Sequence, residues 1–136
     1  RAATADARFS VMEIKWGLVP DLAGTQLMRH LAREDVVREL TYTGRIFNGV
    51  EAQQMGFVTR VVDDPRAAAL ETAKEIASKS PDAIRANKRL LNAAVAVDAA
   101  AGLMMESVEQ QKLIGSPNQV EAIMSNLQKR AAHYKD

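Results

Sequence analysis

Two segments of the chain have the full residue pattern of a β-strand, and residues 1–4 read as part of a third. In the first segment, Phe9, Val11 and Glu13 would share one face, which places a carboxylate beside two apolar side chains. The second segment runs over residues 57–62. So few strands make a poor sheet by themselves, because their backbone N–H and C=O groups need partners. The sequence therefore predicts a sheet that residues outside this chain complete.

The rest of the chain is predicted to be helical, and several helices have clear terminal signals. Asn48 and Glu51 have capping-box spacing, which predicts a short helix that stops at Gly56. A second capping box is expected at Ser116 and Gln119. At each X-Pro start, a capping side chain precedes a proline at the first helical position. Helices are expected near residues 27–31, over 33–41 with Gly44 at the end, over 48–55, after Asp64-Pro65, after Ser80-Pro81, over 99–114, and after Ser116-Pro117.

The pattern divides the chain into two regions, residues 1–64 and residues 65–136. The first contains the strand that carries Glu13, a glycine-containing turn, short helices and the second strand. The second region is entirely helical, and its last helix has the clearest apolar stripe in the chain. Such a stripe is typical of a helix that packs in a bundle or on an oligomer surface. The stripe consists of Val120, Ile123, Met124, Leu127, Ala131 and Tyr134.

Charge and composition exclude several classes of site. The chain has 18 basic and 17 acidic residues, so no basic face predicts binding to nucleic acid or to an anionic membrane. It has no cysteine, which excludes disulfides and thiolate catalysis, and its two histidines, His30 and His133, are too far apart to suggest a metal site. No apolar run approaches the length of a membrane span and no secretory signal opens the chain, so a cytoplasmic location is expected.

Three motifs, in matching order and spacing, resemble the crotonase family, the enoyl-CoA hydratases and isomerases. The first is the run of residues 7–26, in which an acid precedes a glycine-containing turn and a helix. The second is Tyr42-Thr43-Gly44-Arg45, followed by Glu51-Ala52, Gly56-Phe57-Val58 and Arg60-Val61-Val62. The third is Ile76-Ala77 with Ser80-Pro81 and Lys88. Together the motifs extend over nearly the whole chain.

The resemblance implies an α/β, crotonase-like fold, in which ββα repeats form the core and a helical C-terminal region serves trimer assembly. It implies that this helix-rich chain corresponds to the second half of a subunit, and that the subunits form a homotrimer or hexamer. The expected substrate is an acyl-CoA thioester, with coenzyme A as part of the substrate and no metal or redox cofactor. The other half of such a subunit would supply the two backbone N–H groups of an oxyanion hole.

The resemblance assigns catalytic roles to Glu13 and Asp21. Glu13 aligns with the family glutamate that donates or removes a proton at the substrate carbon, a task that an apolar setting favours. Asp21 stands where many hydratases have glycine, whereas dienoyl-CoA isomerases have an aspartate that shuttles protons and an aroyl-CoA dehalogenase branch has a nucleophilic aspartate. Each acid also has a simpler interpretation. Glu13 would then be an exposed edge-strand acid, and Asp21 would cap a helix that begins near Leu22.

Three further residues are candidates for substrate binding. Trp16 and Leu18 would line the acyl tunnel, although a tryptophan beside a glycine turn often serves packing alone. Lys129 aligns with a family lysine that reaches the coenzyme A of a neighbouring subunit, and its simpler interpretation is a solvated helix lysine.

Three functions remain open on the sequence. The first is an enoyl-CoA hydratase/isomerase-type enzyme in which Glu13 transfers the proton, hydration being a lyase reaction. The second is a 3,5-dienoyl-CoA to 2,4-dienoyl-CoA isomerase that uses Glu13 and Asp21. The third, from another class, is a non-catalytic crotonase-like protein that binds partners as an oligomer.

Overall fold

A computed structural model describes residues 1–136, and its extended segments are four strands of two residues each. Strands β1 and β4 pair in parallel, with Ala3 opposite Val61, and strands β2 and β3 pair antiparallel, with Phe9 opposite Phe47. Each pair forms a separate two-stranded sheet with open edges. The strands are β1 Ala2–Ala3, β2 Arg8–Phe9, β3 Phe47–Asn48 and β4 Arg60–Val61.

The prediction of a strand that carries Glu13 is wrong, because the observed strand β2 ends at Phe9. Of the strand predicted over residues 57–62, only β4 forms. Pairing of β2 stops because the chain that precedes β3 comes from a helix end at Gly44, whose backbone is left-handed and not extended. Glu13 instead begins a short 3-10 helix, and its place on an apolar strand face is therefore not realised.

Seven α-helices follow the predicted order along the chain. Gly44 and Gly56 end their helices in the left-handed conformation, with φ of 60° and 94°, as predicted. No helix combines the length and the apolar composition that crossing a lipid bilayer requires. The helices are α1 Gly24–Met28, α2 Glu34–Thr43, α3 Gly49–Met55, α4 Pro65–Ala77, α5 Pro81–Ala94, α6 Ala99–Leu113 and α7 Pro117–Leu127.

The predicted helix caps are realised to different degrees. The capping box of α3 is confirmed, since Asn48 Oδ1 accepts from the Glu51 N–H and Glu51 Oε2 accepts from the Asn48 N–H, both at 2.9 Å. At α7, Ser116 caps as predicted, but the capping box is wrong because the Gln119 side chain accepts from the Gly115 N–H. Ser80 forms no side-chain cap at α5.

The chain forms two compact units, Arg1–Glu71 and Thr72–Asp136. The boundary between them falls within the sequence of α4. The core of the first unit consists of Ala3, Leu40, Phe47, Ala52 and Val58. Phe47 packs at 5.6 Å between the rings of Phe9 and Phe57, and such aromatic pairs contribute about 0.5–1.5 kcal/mol each. This core therefore fixes β2 against β3, and with it the segment that follows β2. The predicted boundary between the end of the crotonase core, residues 1–64, and a helical C-terminal region, residues 65–136, stays a prediction.

The second unit packs α5 against α6 and α7 and buries few side chains. Helix α7 ends at Leu127, so the predicted continuation of its apolar stripe to Ala131 and Tyr134 is wrong. The stripe residues of the helix itself are between 40% and 74% exposed. Their apolar face is thus left uncovered within this chain.

The C-terminal segment of the second unit is attached by the buried side chain of Asn118. Its Nδ2 donates to Asp82 Oδ2 at 2.8 Å and to the Lys135 carbonyl at 2.7 Å, and its Oδ1 accepts from the Lys135 N–H at 2.8 Å. Arg85 adds an ion pair to Asp136 at 2.9 Å. One amide therefore links α5, α7 and the C-terminal residues.

We expect Asn118→Ala to lower the free energy of unfolding by about 2–3 kcal/mol, because a buried amide and its three hydrogen bonds are lost. Urea unfolding measures the change. Asn126→Ala is the matched control, since the exposed Asn126 amide bonds only to the Ala122 carbonyl of its own helix. Equal losses for the two variants would contradict the assigned role of Asn118.

A second attachment predicts how stability depends on pH. The Arg130 guanidinium and the His133 backbone N–H lower the pKa of Glu121 from 4.5 to about 2. Because the pKa is lower in the folded state, the stabilisation is present above pH 4.5 and is lost as the pH falls towards 2. In thermal unfolding across this range, Glu121→Gln should show a smaller acid-side loss than the unchanged protein. The exposed Glu106→Gln should behave as the unchanged protein does, and equal slopes for all three would contradict the assignment.

Candidate functional site

The Glu13 turn, defined as the 3-10 helix Glu13–Trp16, carries the first candidate catalytic acid. Backbone hydrogen bonds close it, since the Gly17 N–H donates to the Ile14 carbonyl and the Leu18 N–H donates to the Glu13 carbonyl, both at 3.1 Å. Gly17 has a φ of 70°, which reverses the chain at little steric cost. The Glu13 side chain is partly buried, and its carboxylate forms no hydrogen bond or ion pair within the chain.

Apolar side chains surround this acid in sequence but do not join the core. Trp16 is 70% exposed and Leu18 is 61% exposed, so neither serves packing within this chain. The Lys15 ammonium lies 5.3 Å from the centre of the Trp16 ring, a cation–π distance. Val19 and Leu22 continue the exposed apolar surface towards the next turn. Contiguous exposed apolar surface of this kind marks a place that binds something else.

Asp21 lies in a tight turn in which the Gly24 N–H donates to the Asp21 carbonyl at 2.8 Å. The two central residues, Leu22 and Ala23, have φ of 46° and 64°, a left-handed pair that glycine or asparagine normally occupies. Helix α1 has Ala23 as its N-cap and no side-chain cap. The capping interpretation of Asp21 is therefore wrong, and its exposed carboxylate has no partner. Backbone strain of this kind is concentrated at functional sites.

Two residues that hold the Glu13 turn were not among the predicted site residues. The Ser10 hydroxyl donates to the Gly44 carbonyl at 2.9 Å, across a sequence separation of 34 residues. Gly44 is also within reach of the Ile14 side chain. The sequence identified Gly44 only as a helix end, because a contact between distant residues leaves no local periodicity or spacing to read.

Lys129 belongs to the second compact unit, and it lies beyond α7, where a residue of the last helix was predicted. Its φ is 52°, and its N–H donates to the Asn126 carbonyl while the Arg130 N–H donates to the Ser125 carbonyl. This is a Schellman motif with lysine at the position that usually holds glycine. The exposed Lys129 ammonium forms no ion pair.

The structure also contains a cavity of about 470 Å³ between α1 and α2. Its polar lining is largely satisfied, since Arg38 bonds to Glu34 at 2.8 Å and to the Tyr42 hydroxyl at 3.1 Å. None of the predicted site residues lines it. No group of three or more histidine, cysteine, aspartate or glutamate side chains is placed to hold a metal ion. The two predicted acids lie on turns that follow each other in sequence, the Glu13 turn and the Asp21 turn.

Comparison with known proteins identifies the family of the chain. All residues from 1 to 136 match the family model described as enoyl-CoA hydratase/isomerase. The chain is 26% identical over 141 residues to the mitochondrial methylglutaconyl-CoA hydratase of Mus musculus, covering 99% of this chain and 45% of that protein. It is 32% identical over 135 residues to a probable enoyl-CoA hydratase of Rhizobium meliloti, covering 98% and 52%.

The three-dimensional fold is also similar to that of a solved enoyl-CoA hydratase structure. The crystal structure of an enoyl-CoA hydratase from Bacillus anthracis matches with a TM-score of 0.94 and 31% identity, covering 99% of this chain and 53% of that one. The chain spans about half the length of the relatives that it matches, as the sequence motifs implied. The crotonase-like fold is thereby confirmed, and the chain belongs to the enoyl-CoA hydratase/isomerase family.

Proposed function

We propose that this chain forms part of an enzyme that hydrates or isomerises the double bond of an acyl-CoA thioester, with Glu13 as the proton-transferring acid. The observation that carries the proposal is the state of that carboxylate, which is partly buried yet unpaired on a turn flanked by exposed apolar side chains. In the same unit Glu34, Glu39 and Glu51 each pair with an arginine. An unpaired carboxylate in an apolar setting is suited to moving protons.

The reaction places defined demands on the site. In hydration, the oxygen of water bonds to the β-carbon as the π bond breaks, negative charge develops on the thioester oxygen, and a proton is then delivered to the α-carbon. By resemblance to the family, a second carboxylate from residues outside this chain would take the proton that the attacking water loses. Backbone N–H donors stabilise the charge on the thioester oxygen, and loss of one such donor costs about 3–4 kcal/mol in barrier. We assign the α-carbon proton to Glu13. By resemblance to the family, the N–H donors would come from residues outside this chain, and no metal or redox cofactor would take part.

A specific observation favours isomerisation as a second candidate. Asp21 does not cap a helix, its carboxylate is exposed and unpaired, and it precedes a turn with two strained residues. A second free acid shortly after Glu13 is what a 3,5-dienoyl-CoA to 2,4-dienoyl-CoA isomerase needs. One acid would remove a proton from the conjugated system and the other would return one to a different carbon, so that atoms and charge balance.

The remaining roles extend the same proposal. Trp16 and Leu18, which the core of this chain does not use, would line the acyl tunnel. Lys129 would contact the coenzyme A of a neighbouring subunit, and the exposed apolar stripe of α7 would pack in a homotrimer or hexamer. The non-catalytic oligomeric binding protein is disfavoured by two unpaired acids in one loop region, and the cytoplasmic location stays a prediction.

The first test measures stability and asks whether Asp21 has a structural role. Asp21→Ala should change the free energy of unfolding by less than about 0.5 kcal/mol, because no hydrogen bond or ion pair of the side chain is lost. Asp98→Ala is the reference for a real cap, since Asp98 accepts from the Ala101 N–H at 2.8 Å. That variant should lose about 1 kcal/mol in urea unfolding. A comparable loss for Asp21→Ala would show that the aspartate is structural.

The second test measures catalysis in the protein expressed from its complete reading frame. Glu13→Gln should lower kcat for hydration of a short 2-enoyl-CoA by roughly 100-fold or more, the loss expected for a general acid or base. Asp21→Asn should lower isomerisation of a 3,5-dienoyl-CoA by a similar factor if the second candidate is right. If hydration alone is catalysed, the unchanged protein should show no isomerisation and Asp21→Asn should leave kcat for hydration unchanged. Glu106→Gln and Asp63→Asn, both exposed and unpaired, are matched controls. Full activity of Glu13→Gln would overturn the proposal.

A further inference from the structure

We propose that Gly44 and Ser10 form a seat for the Glu13 turn and act as positioning residues for its carboxylate. This inference rests on the proposed role of Glu13. The seat consists of the Gly44 backbone on one side and the chain from Ser10 to Ile14 on the other. Neither of the two residues is expected to touch the substrate.

The first observation is how closely the two segments approach. A Cβ placed on Gly44 would lie 2.9 Å from Ile14 Cγ2 and 3.5 Å from the Val11 carbonyl oxygen, with Met12 Cα at 4.0 Å. Real Cβ atoms do not come within 3.0 Å of a neighbour, so even alanine would force a displacement. The atom that it would push belongs to Ile14, the residue that follows Glu13. A side chain at position 44 would therefore act directly on the Glu13 turn.

The second observation is that both the carbonyl and the N–H of Gly44 form hydrogen bonds. The Ser10 hydroxyl donates to the Gly44 carbonyl at 2.9 Å and is partly buried, which ties the segment after β2 to the end of α2. The Gly44 N–H donates to the carbonyl of Leu40, whose side chain is fully buried in the core. Gly44 is thus held by the core, and the Glu13 turn is held by Gly44.

The third observation is an ion-pair network around Arg45, the residue that follows Gly44. Arg45 donates to Glu39 at 2.8 Å and to Glu51 at 3.1 Å, and so links α2 to α3. The Asn48 backbone N–H and the Arg45 guanidinium lower the pKa of Glu51. The Gly44 backbone therefore has little freedom to move away from an added side chain. The displacement would fall first on the Ile14 side chain of the Glu13 turn, which is 45% exposed.

Displacement of Glu13 should affect the catalytic rate more than substrate binding. Misplacement of a catalytic group by about 1 Å can cost about 100-fold in rate. The closest contacts of the seat are with Val11, Met12 and Ile14, next to Glu13. The candidate substrate-binding Trp16 lies further along the turn, so kcat should fall by more than KM changes. A residue that serves stability alone would not separate the two constants in this way.

The test compares two glycines with similar backbones and different surroundings. Gly44 has φ of +60° and Gly115 has φ of +77°, but a Cβ on Gly115 would meet nothing within 4 Å. Gly44→Ala and Gly115→Ala therefore impose a similar left-handed strain, and only the first pushes on Ile14. In the protein expressed from its complete reading frame, we expect Gly44→Ala to lower kcat by roughly 10- to 100-fold with KM within about threefold. Gly115→Ala should leave both constants unchanged.

A rescue variant makes the assignment specific. Ile14→Leu removes the Cγ2 atom at the contact but keeps the volume of the side chain, so Gly44→Ala combined with Ile14→Leu should recover kcat by about threefold or more over Gly44→Ala alone. No recovery, or equal losses of kcat in the two glycine variants, would overturn the inference.

Ser10→Ala covers the case in which Gly44→Ala does not fold. It removes one hydrogen bond and adds no atom, and we expect kcat to fall by about fivefold, the factor that one such bond typically represents. An unchanged kcat would overturn the seat. Glu13→Gln, assayed in parallel, distinguishes a failure of the positioning role of Ser10 and Gly44 from a failure of the proposed catalytic role of Glu13. If Glu13→Gln is inactive and Ser10→Ala is fully active, Glu13 is catalytic but is positioned by other contacts.

Discussion

The antiparallel pairing of Phe9 with Phe47 is the interaction on which the first compact unit depends. It brings together two segments that are distant in sequence and places both rings in one aromatic cluster with Phe57. From this pairing follow the position of Ser10 opposite Gly44 and the direction in which the chain enters the Glu13 turn. A core that looks modest, with a single fully buried large side chain, thereby orients the functional loop.

The loop itself is built differently from the rest of the unit. Several other carboxylates of the unit bind arginines or cap helix ends, as with Glu39, Glu51 and Asp64, although Asp63 is also unpaired. Glu13 and Asp21 have no such partner, and the apolar side chains between them remain outside the core. The two unpaired acids and the exposed apolar side chains between them therefore add little to local stability. This combination is consistent with a surface that a bound acyl group or further polypeptide covers.

Many features with a local cause could be read from the sequence, although the cap at Ser80 and the Gln119 half of one capping box did not form, and features with a distant cause could not be read. The Asn48–Glu51 box and the glycine at position 56 involve neighbours within one helical turn, and the structure confirms them. The strand through Glu13 failed because its extension depends on a partner strand, and position 44 supplies a helix end in its place. The cap at Asp21 failed because a tight turn uses the backbone of that residue and delays the helix to Gly24. For the acids themselves, the family resemblance gave the candidates, and the structure added that both are unpaired.

The way in which β1 and β4 meet has a consequence for the order of folding. Ala3 pairs with Val61, so two strands that are far apart in the sequence of the first unit meet. Closing so long a segment loses chain entropy before any contact is gained, whereas α5 and α6 are consecutive helices that meet across a short connection. The helical half of the chain is thus able to gain its contacts early, and the half that carries Glu13 is completed late.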